Sequence, residues 1–292
     1  MASAYGFDAQ LGMASSAPAT ELYDWKGGDL DIREDDFHDT HGLIGSRDHP
    51  SERVRRNTRR PGGTLTLEPN AAELANLLPR ILGAAASGTT FALADTLPSF
   101  VVVLDKVTKV ETYSSCAVDR AVFSGSQGGP LSLELTIEAT DTSVGAAGSF
   151  PALTLNTSTG PYMFHEATFN VNGSAYNFKT WRLTISNECD KERFFNSPTR
   201  QSIVPMDRVI TWEFDGPYAD NVDLYNLSVT GVACTATFTN SNVSILFSSP
   251  AVSFPRKSAR VDGTNEILLP LIGIARKSGS TASLVVTNDS TI

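Results

Sequence analysis

The sequence has few of the residues that most directly mark a chemical function. Among its 292 residues are only four histidines and three cysteines, Cys116, Cys189 and Cys234, with no Cys-x-x-Cys pair. An odd number of cysteines without that spacing argues against a disulfide framework or a zinc site. We expect all three to be small buried residues, and we predict neither a metal nor a cofactor.

Long apolar runs are also missing from the chain. No stretch approaches the roughly 20 apolar residues that span a bilayer, and the N-terminus lacks the basic and apolar regions of a signal peptide. The formal net charge is −9, which argues against tight binding of nucleic acid by phosphate neutralisation. The sequence therefore predicts a soluble, unsecreted protein without a membrane partner.

Catalytic motifs are absent as well. The stretch "FSGSQGG" fits neither a nucleophile elbow nor a phosphate-binding loop, and a hairpin turn explains it. His38 and His41, near Asp36 and Asp39, could gather a metal ion, but no helical framework holds them. We predict that the protein is not an enzyme.

One segment, "PNAAELANLLPRILGA", is typical of a helix. Asn70 and Glu73 form a variant of a capping box, Gly83 offers a C-terminal cap, and Pro79 predicts a kink or a break. Two roles stay open, a cover for one end of a β core or a contact with another subunit. The apolar stripe that would make either contact includes Leu74, Leu77 and Leu78.

The rest of the chain is dominated by strand patterns. In "LSLELTIE" the apolar residues alternate with polar ones, so that Glu134 and Glu138 share a solvated face. Many short strands separated by Gly, Asn and Pro favour an antiparallel β sandwich or partly closed barrel with one flanking short α-helix. We assign this domain to residues 61–292, with a loop insertion near 141–160.

Residues 1–60 show little alternation and are predicted to form an extended N-terminal arm. Its aromatic residues, Trp25 among them, give it something to bury against a partner. An acidic stretch precedes an arginine cluster, which is suited either to acidic protein surface or to DNA. We favour contact with acidic residues 29–39 of the same or a neighbouring copy for Arg53, Arg55, Arg56, Arg59 and Arg60.

Taken in order, four stretches resemble the tail tube (major tail) proteins of long-tailed, siphovirus-like bacteriophages. They are "GGTLTLEPNAAELANLLPRILGA", "CAVDRAVFSGSQGGPLSLELTIEA", "PYMFHEATFNVNGSAYNFKTWRLTISNE" and "NVDLYNLSVTGVACTATF" followed by "VSILFSSPAVSF". The resemblance implies a virion protein, assembled in the host cytoplasm, that forms stacked rings, usually hexameric, around a channel for DNA.

The resemblance also implies partners and excludes chemistry. Expected partners are further copies of the chain, the tape measure, the tail terminator and the distal tail protein, while DNA passes without specific binding and no catalytic residue or cofactor is needed. We place Glu134 and Glu138 on the channel wall. A trimer of duplicated domains could imitate a hexamer, and a carbohydrate-binding or adhesin-type β domain on a virion surface is the alternative function.

Overall fold

A computed structural model describes residues 5–38, 51–218, 224, 231–255, 258–259, 261, 264 and 266–290. Strands dominate these residues, together with one α-helix, Ala71–Leu82 (α1), and short 3-10 turns at Gly6–Asp8, Ser51–Arg53 and Phe164–Glu166. The strands are β1 (Gln10–Ala14), β2 (Glu21–Tyr23), β3 (Trp25–Asp31), β4 (Glu34–His38), β5 (Val54–Arg59), β6 (Gly62–Leu67), β7 (Thr90–Ala92), β8 (Phe100–Asp105), β9 (Lys109–Ser126), β10 (Ser132–Glu138), β11 (Asp141–Ala146), β12 (Ala167–Val171), β13 (Ser174–Tyr176), β14 (Thr180–Ser186), β15 (Val209–Pro217), β16 (Val232–Asn240), β17 (Val243–Ser253), β18 (Leu268–Arg276) and β19 (Val285–Asp289).

The strands pair antiparallel in a sandwich. The first sheet has the order β3-β6-β10-β9-β14-β15-β18, and the second has the order β7-β19-β17-β16-β12-β13. They meet at a corner where the end of β17 pairs with the end of β18, and the sheet does not close into a barrel. The predicted mainly β fold with one flanking helix is confirmed.

The long strand β9 joins the sandwich to a third sheet of order β2-β1-β8-β9-β11. Its first half belongs to that sheet, and from Ala117 onward it pairs with β10 of the first sheet. Ser115, between the two halves, has a positive φ of 48°, so the strand changes direction where it changes sheets. One strand therefore ties both parts of the molecule together.

Aromatic side chains fill the space between the first and second sheets. Trp181 and Trp212 are 1% and 0% exposed, as their strand patterns predict, and Phe169 contacts Trp181 at 6.0 Å between ring centroids. The indole nitrogen of Trp212 donates a 2.9 Å hydrogen bond to Ser249 Oγ. Such a hydrogen bond offsets the free-energy cost of removing the buried polar group from water.

Helix α1 confirms the predicted capping. The Glu73 backbone N–H donates to Asn70 Oδ1, and the Asn70 N–H donates to Glu73 Oε2, both at 2.9 Å. Gly83 ends the helix at φ 98°. Of the kink or break predicted at Pro79, the break does not occur, because α1 runs as one element through that residue, and the kink stays a prediction.

The apolar stripe of α1 lies inside its own chain. Leu74, Leu77 and Leu78 are at most 1% exposed and belong to the main core. Because these side chains have no surface to offer to a neighbour, we correct the prediction that they contact another subunit. The helix instead covers one end of the β core.

Residues 10–31 do not form an extended arm. Leu11 and Met13 of β1 are fully buried, β1 pairs with β8 and β3 pairs with β6. The strands are short and contain glycine, so their alternation is faint, and pairing with distant strands holds them in place. The loop predicted near 141–160 likewise begins with a strand, since β11 pairs with β9.

Candidate assembly surfaces

Strands β4 and β5 form a ribbon that continues the β3–β6 pair beyond the first sheet. Asp31 pairs with Gly62, the Arg60 N–H donates to the Arg33 carbonyl at 2.8 Å, and Glu34 then pairs with Arg59. Gly62 lies opposite Glu138, at the end of β10. We call this end of the first sheet, where β10 ends, the basal end.

The arginines of the ribbon pair with its own acidic strand. Arg59 Nε lies 2.6 Å from Glu34 Oε1, Arg60 Nε lies 3.6 Å from Asp35 Oδ2, and Arg56 Nε lies 3.8 Å from Glu34 Oε2. The predicted pairing with the 29–39 segment is thus confirmed within one chain for these three arginines. Such surface pairs contribute at most about 1 kcal/mol each, so they order the ribbon more than they stabilise the fold.

Arg53 and Arg55, like Arg56, have exposed side chains. Arg55, opposite Phe37 across the ribbon, has no ion-pair partner among the described residues, and Arg53 lies in an exposed 3-10 turn. Asp39, His41 and His49, which belong to the possible metal-binding group around His38, lie outside the described residues. Whether the cluster contacts another copy stays a prediction.

The segment 187–208, which links β14 to β15, packs over the basal end. Arg200 is 5% exposed and donates from Nη1 to Glu138 Oε2 at 2.8 Å and to the Ala139 carbonyl at 3.1 Å. Lys191 Nζ lies 2.8 Å from Asp119 Oδ2 and 3.2 Å from Glu138 Oε1. Burial lowers the pKa of Lys191, but the hydrogen bond to Asp119 and the Glu138 charge outweigh it and raise the pKa above its usual value.

The prediction of a solvated face for Glu138 is therefore wrong. Glu138 is 7% exposed, because the 187–208 segment lays Arg200 and Lys191 over the end of β10. Glu134, four residue pairs nearer the other end, is half-buried on the outer face of the first sheet. Only Glu134 remains a candidate for a channel wall.

The ribbon and the 187–208 segment contact each other. The Arg59 N–H donates to the Pro198 carbonyl at 2.8 Å, Arg60 Nη2 lies 3.1 Å from Glu192 Oε2, and the Arg60 guanidinium stacks 5.6 Å from the ring centroid of Phe194. Sequence reasoning missed this contact. The signal was the mixture of basic and aromatic residues in "KERFFNSPTR".

A groove lies at the opposite, apical end of the first sheet, where β10 begins. Its volume is about 660 Å³. Its walls combine three carboxylates and one cation, Arg182, with apolar residues, Pro130 and Ile272 among them, so that the lining is acidic on balance. The carboxylates are Glu68, Glu213 and Asp215. We call it the apical groove.

Reactive chemistry is not favoured at any of these surfaces. Burial raises the pKa of Cys116, Cys189 and Cys234 to about 12, so the thiols stay protonated, and all three are free and buried as predicted. Among the described residues, no group of three or more His, Cys, Asp or Glu side chains is placed to hold a metal ion. Nor does any helix in these ranges have the length and apolar character needed to cross a membrane.

A β sandwich with unpaired sheet edges and charged projections is typical of a structural protein that assembles with other proteins. The family model described as phage tail tube protein matches residues 46–284 of the chain. The chain therefore belongs to the phage tail tube protein family and is a structural component of the virion tail that assembles into a tube. No curated protein matches the chain.

Proposed function

We propose that the chain forms rings, six copies each as the family resemblance implies, and that the rings stack into a hollow tube that conducts DNA during ejection. The tape measure, tail terminator and distal tail proteins are the proposed neighbours inside and at the two ends of this tube. The tube wall is proposed to need no catalytic group, because its task is to enclose the DNA.

The ring proposal rests on the two open edges of the first sheet. At one side β3 pairs with β6 alone. At the other side β18 pairs with β15 over Leu268–Ile274, and with β17 only from Ile274 onward. Within the described ranges, neither outer edge has a strand beside it, and an unpaired edge can accept a strand from another chain. Two different edges meeting head to tail generate a ring when the rotation closes.

The outer face of the first sheet is the proposed channel wall. It is polar, and carboxylates outnumber arginines on it, so that it repels the phosphates of passing DNA. Glu134 lies near the middle of this face, opposite Val122 of β9 and Thr66 of β6. The charged side chains on it are Asp29, Asp31, Glu134 and, at its apical rim where they also line the apical groove, Glu68, Glu213 and Asp215, against Arg120, Arg182, Arg276 and Lys26, which lies 3.4 Å from Glu68 Oε2.

The carbohydrate-binding alternative has no comparable support. Trp181 and Trp212 are buried and Trp25 packs against the main core; exposed rings such as the stacked pair Tyr5 and Phe7 are present, but the family match favours the tube protein. We therefore do not carry this alternative further.

Electron microscopy of the purified full chain tests the proposal. Rings with sixfold class averages and striated tubes are the expected result, and a monomer or a twofold dimer at high protein concentration would contradict it.

The variant Gly27→Lys tests the role of the β3 edge, because an added Cβ at Gly27 meets nothing within 4 Å. A lysine there leaves the fold intact and blocks the β3 edge. Val144→Lys, on the edge of the third sheet, is the matched control and should still form rings.

A further inference from the structure

The two ends of the first sheet carry opposite kinds of surface. Ser132 at the apical end and Glu138 at the basal end are separated by the length of β10, roughly 20 Å at 3.3 Å per residue. The 187–208 segment and the β4–β5 ribbon project from the basal end, and the apical groove opens at the other. A molecule with different surfaces at its two ends can stack head to tail.

Phe195 is an exposed aromatic residue of the basal end. Its side chain is 61% exposed, and Phe195 and Asn196 have φ values of 37° and 66°. A bulky residue in the left-handed region is strained, and strain of this kind persists where the surroundings impose it, often at functional sites. Arg193 stacks over the ring at 5.5 Å from its centroid and is weakly paired with Asp190, at 3.6 Å, so that the turn presents an aromatic ring beside a guanidinium.

The ribbon adds further positive charge at the same end. The Arg56 side chain is 76% exposed and only weakly paired, at 3.8 Å from Glu34. Arg55 beside it is exposed. We call Phe195, Arg193, Arg55 and Arg56 the basal ledge.

The apical groove is complementary in both charge and polarity. Among the described residues, the Glu213 carboxylate has no ion-pair or hydrogen-bond partner, and one carboxylate oxygen of Asp215 is buried without a hydrogen-bond donor. A guanidinium placed against these carboxylates from outside would compensate their charge. Ile272, 37% exposed, offers apolar surface to an aromatic ring.

We propose that the basal ledge of one subunit docks in the apical groove of a second copy, with Phe195 against Ile272 and the ledge arginines facing Glu213 and Asp215. This inference rests on the proposed tube and names the surfaces that join its rings. The contact is heterologous, because different patches of the two copies meet. Repeated without closure, it produces an open stack.

Crosslinking between two single variants tests the docking. Phe195→Cys chains are mixed with Ile272→Cys chains, assembled, and treated with a short bismaleimide. The three native thiols are buried and stay silent. We expect a crosslinked dimer in the mixture and not in either variant alone. The matched control replaces Ile272→Cys with Val144→Cys, which is 52% exposed on the third sheet, and should give at least tenfold less product.

A charge exchange gives a second, independent measurement. Arg56→Glu should reduce the mass of tubes in a sedimentation assay at least tenfold, and adding Glu213→Arg to the same chain should restore part of it. Tubes that form without the Phe195–Ile272 crosslink would overturn this inference and leave the proposed function standing. Failure of the unmodified chain to form rings or tubes would overturn both the docking and the proposed function. A crosslink between two Phe195→Cys chains would show a twofold contact and overturn the docking.

Discussion

Arg200 and Glu138 show how single residues hold the basal end together. Both are buried, and their side chains lie 2.8 Å apart. Removing one partner of a buried ion pair leaves an uncompensated charge and costs about 3–5 kcal/mol, whereas replacing both by apolar residues costs much less. The 187–208 segment therefore depends on this pair for its position.

We predict that Arg200→Met lowers the free energy of unfolding by about 1–3 kcal/mol, because Glu138 keeps Lys191 as a second partner, and that the double variant Arg200→Met with Glu138→Leu loses less than the single one. Urea unfolding followed by circular dichroism measures both. Lys191, 34% exposed at its side chain, would then be screened by solvent. A double variant that loses as much as Arg200→Met alone, or more, would contradict the prediction.

The cysteines give a second prediction at this scale. Burial raises the pKa of each thiol to about 12, and a protonated, inaccessible thiol is a poor nucleophile. At pH 8 the folded protein should release no colour with a thiol reagent such as Ellman's, while the protein in denaturant should show three thiols per chain. Rapid labelling of the folded chain would mean that one of these sites opens.

Among the elements, the β4–β5 ribbon is the best candidate for removal without loss of the fold. Arg33 and Arg60 are already joined by a 2.8 Å hydrogen bond, so a two-residue Asn-Gly turn can connect them in place of residues 34–59. We predict a folded protein, judged by circular dichroism and cooperative unfolding, that forms rings but no long tubes in electron micrographs.

Tubes of normal length from the shortened chain would show that the ribbon is not a connector between rings. Removing all of residues 1–60 is a poorer test, because it also deletes β1 and β3. Those strands bury Leu11, Met13 and Leu30 in the main core, so the loss of tubes would then report unfolding.

The elements also show which features the sequence could predict. Helix α1 was predictable because its signals are local, a capping box at Asn70 and Glu73 and a stripe with helical spacing. The strands β1 and β3 were not, because they are fixed by pairing with β8 and β6, which lie far along the chain. Short strands with glycine carry too little alternation to reveal such pairing.

The candidate surfaces also divide into features that have a local sequence signal and features that do not. Alternation correctly placed Glu134 on the outer face of β10, but it could not reveal that a segment starting at residue 187 folds back over Glu138. Likewise the arginine cluster suggested an acidic partner, and the structure supplies that partner across a hairpin, at Glu34 and Asp35. The apical groove, which brings together residues from several strands, has no local signal at all.

For the whole molecule, the sign of charge on the outer face of the first sheet decides whether DNA slides through or sticks. Each phosphate that a cation neutralises releases counterions, and binding then weakens steeply as salt rises. An acidic face avoids that contact. If the face lines the channel, a single reversal at Glu134 is repeated in every subunit and converts a ring of negative charge into a ring of positive charge.

We therefore predict that tubes of the Glu134→Lys variant bind a short DNA duplex at low salt and protect it from a nuclease, while unmodified tubes do neither. The matched control is Glu52→Lys, an equal change of charge in the exposed turn before β5, where a bound duplex should be digested. Raising the salt should release the protected duplex, because the added contacts are electrostatic. Duplex that binds to Glu134→Lys tubes but is digested at the same rate as with Glu52→Lys would place Glu134 on the outside of the tube.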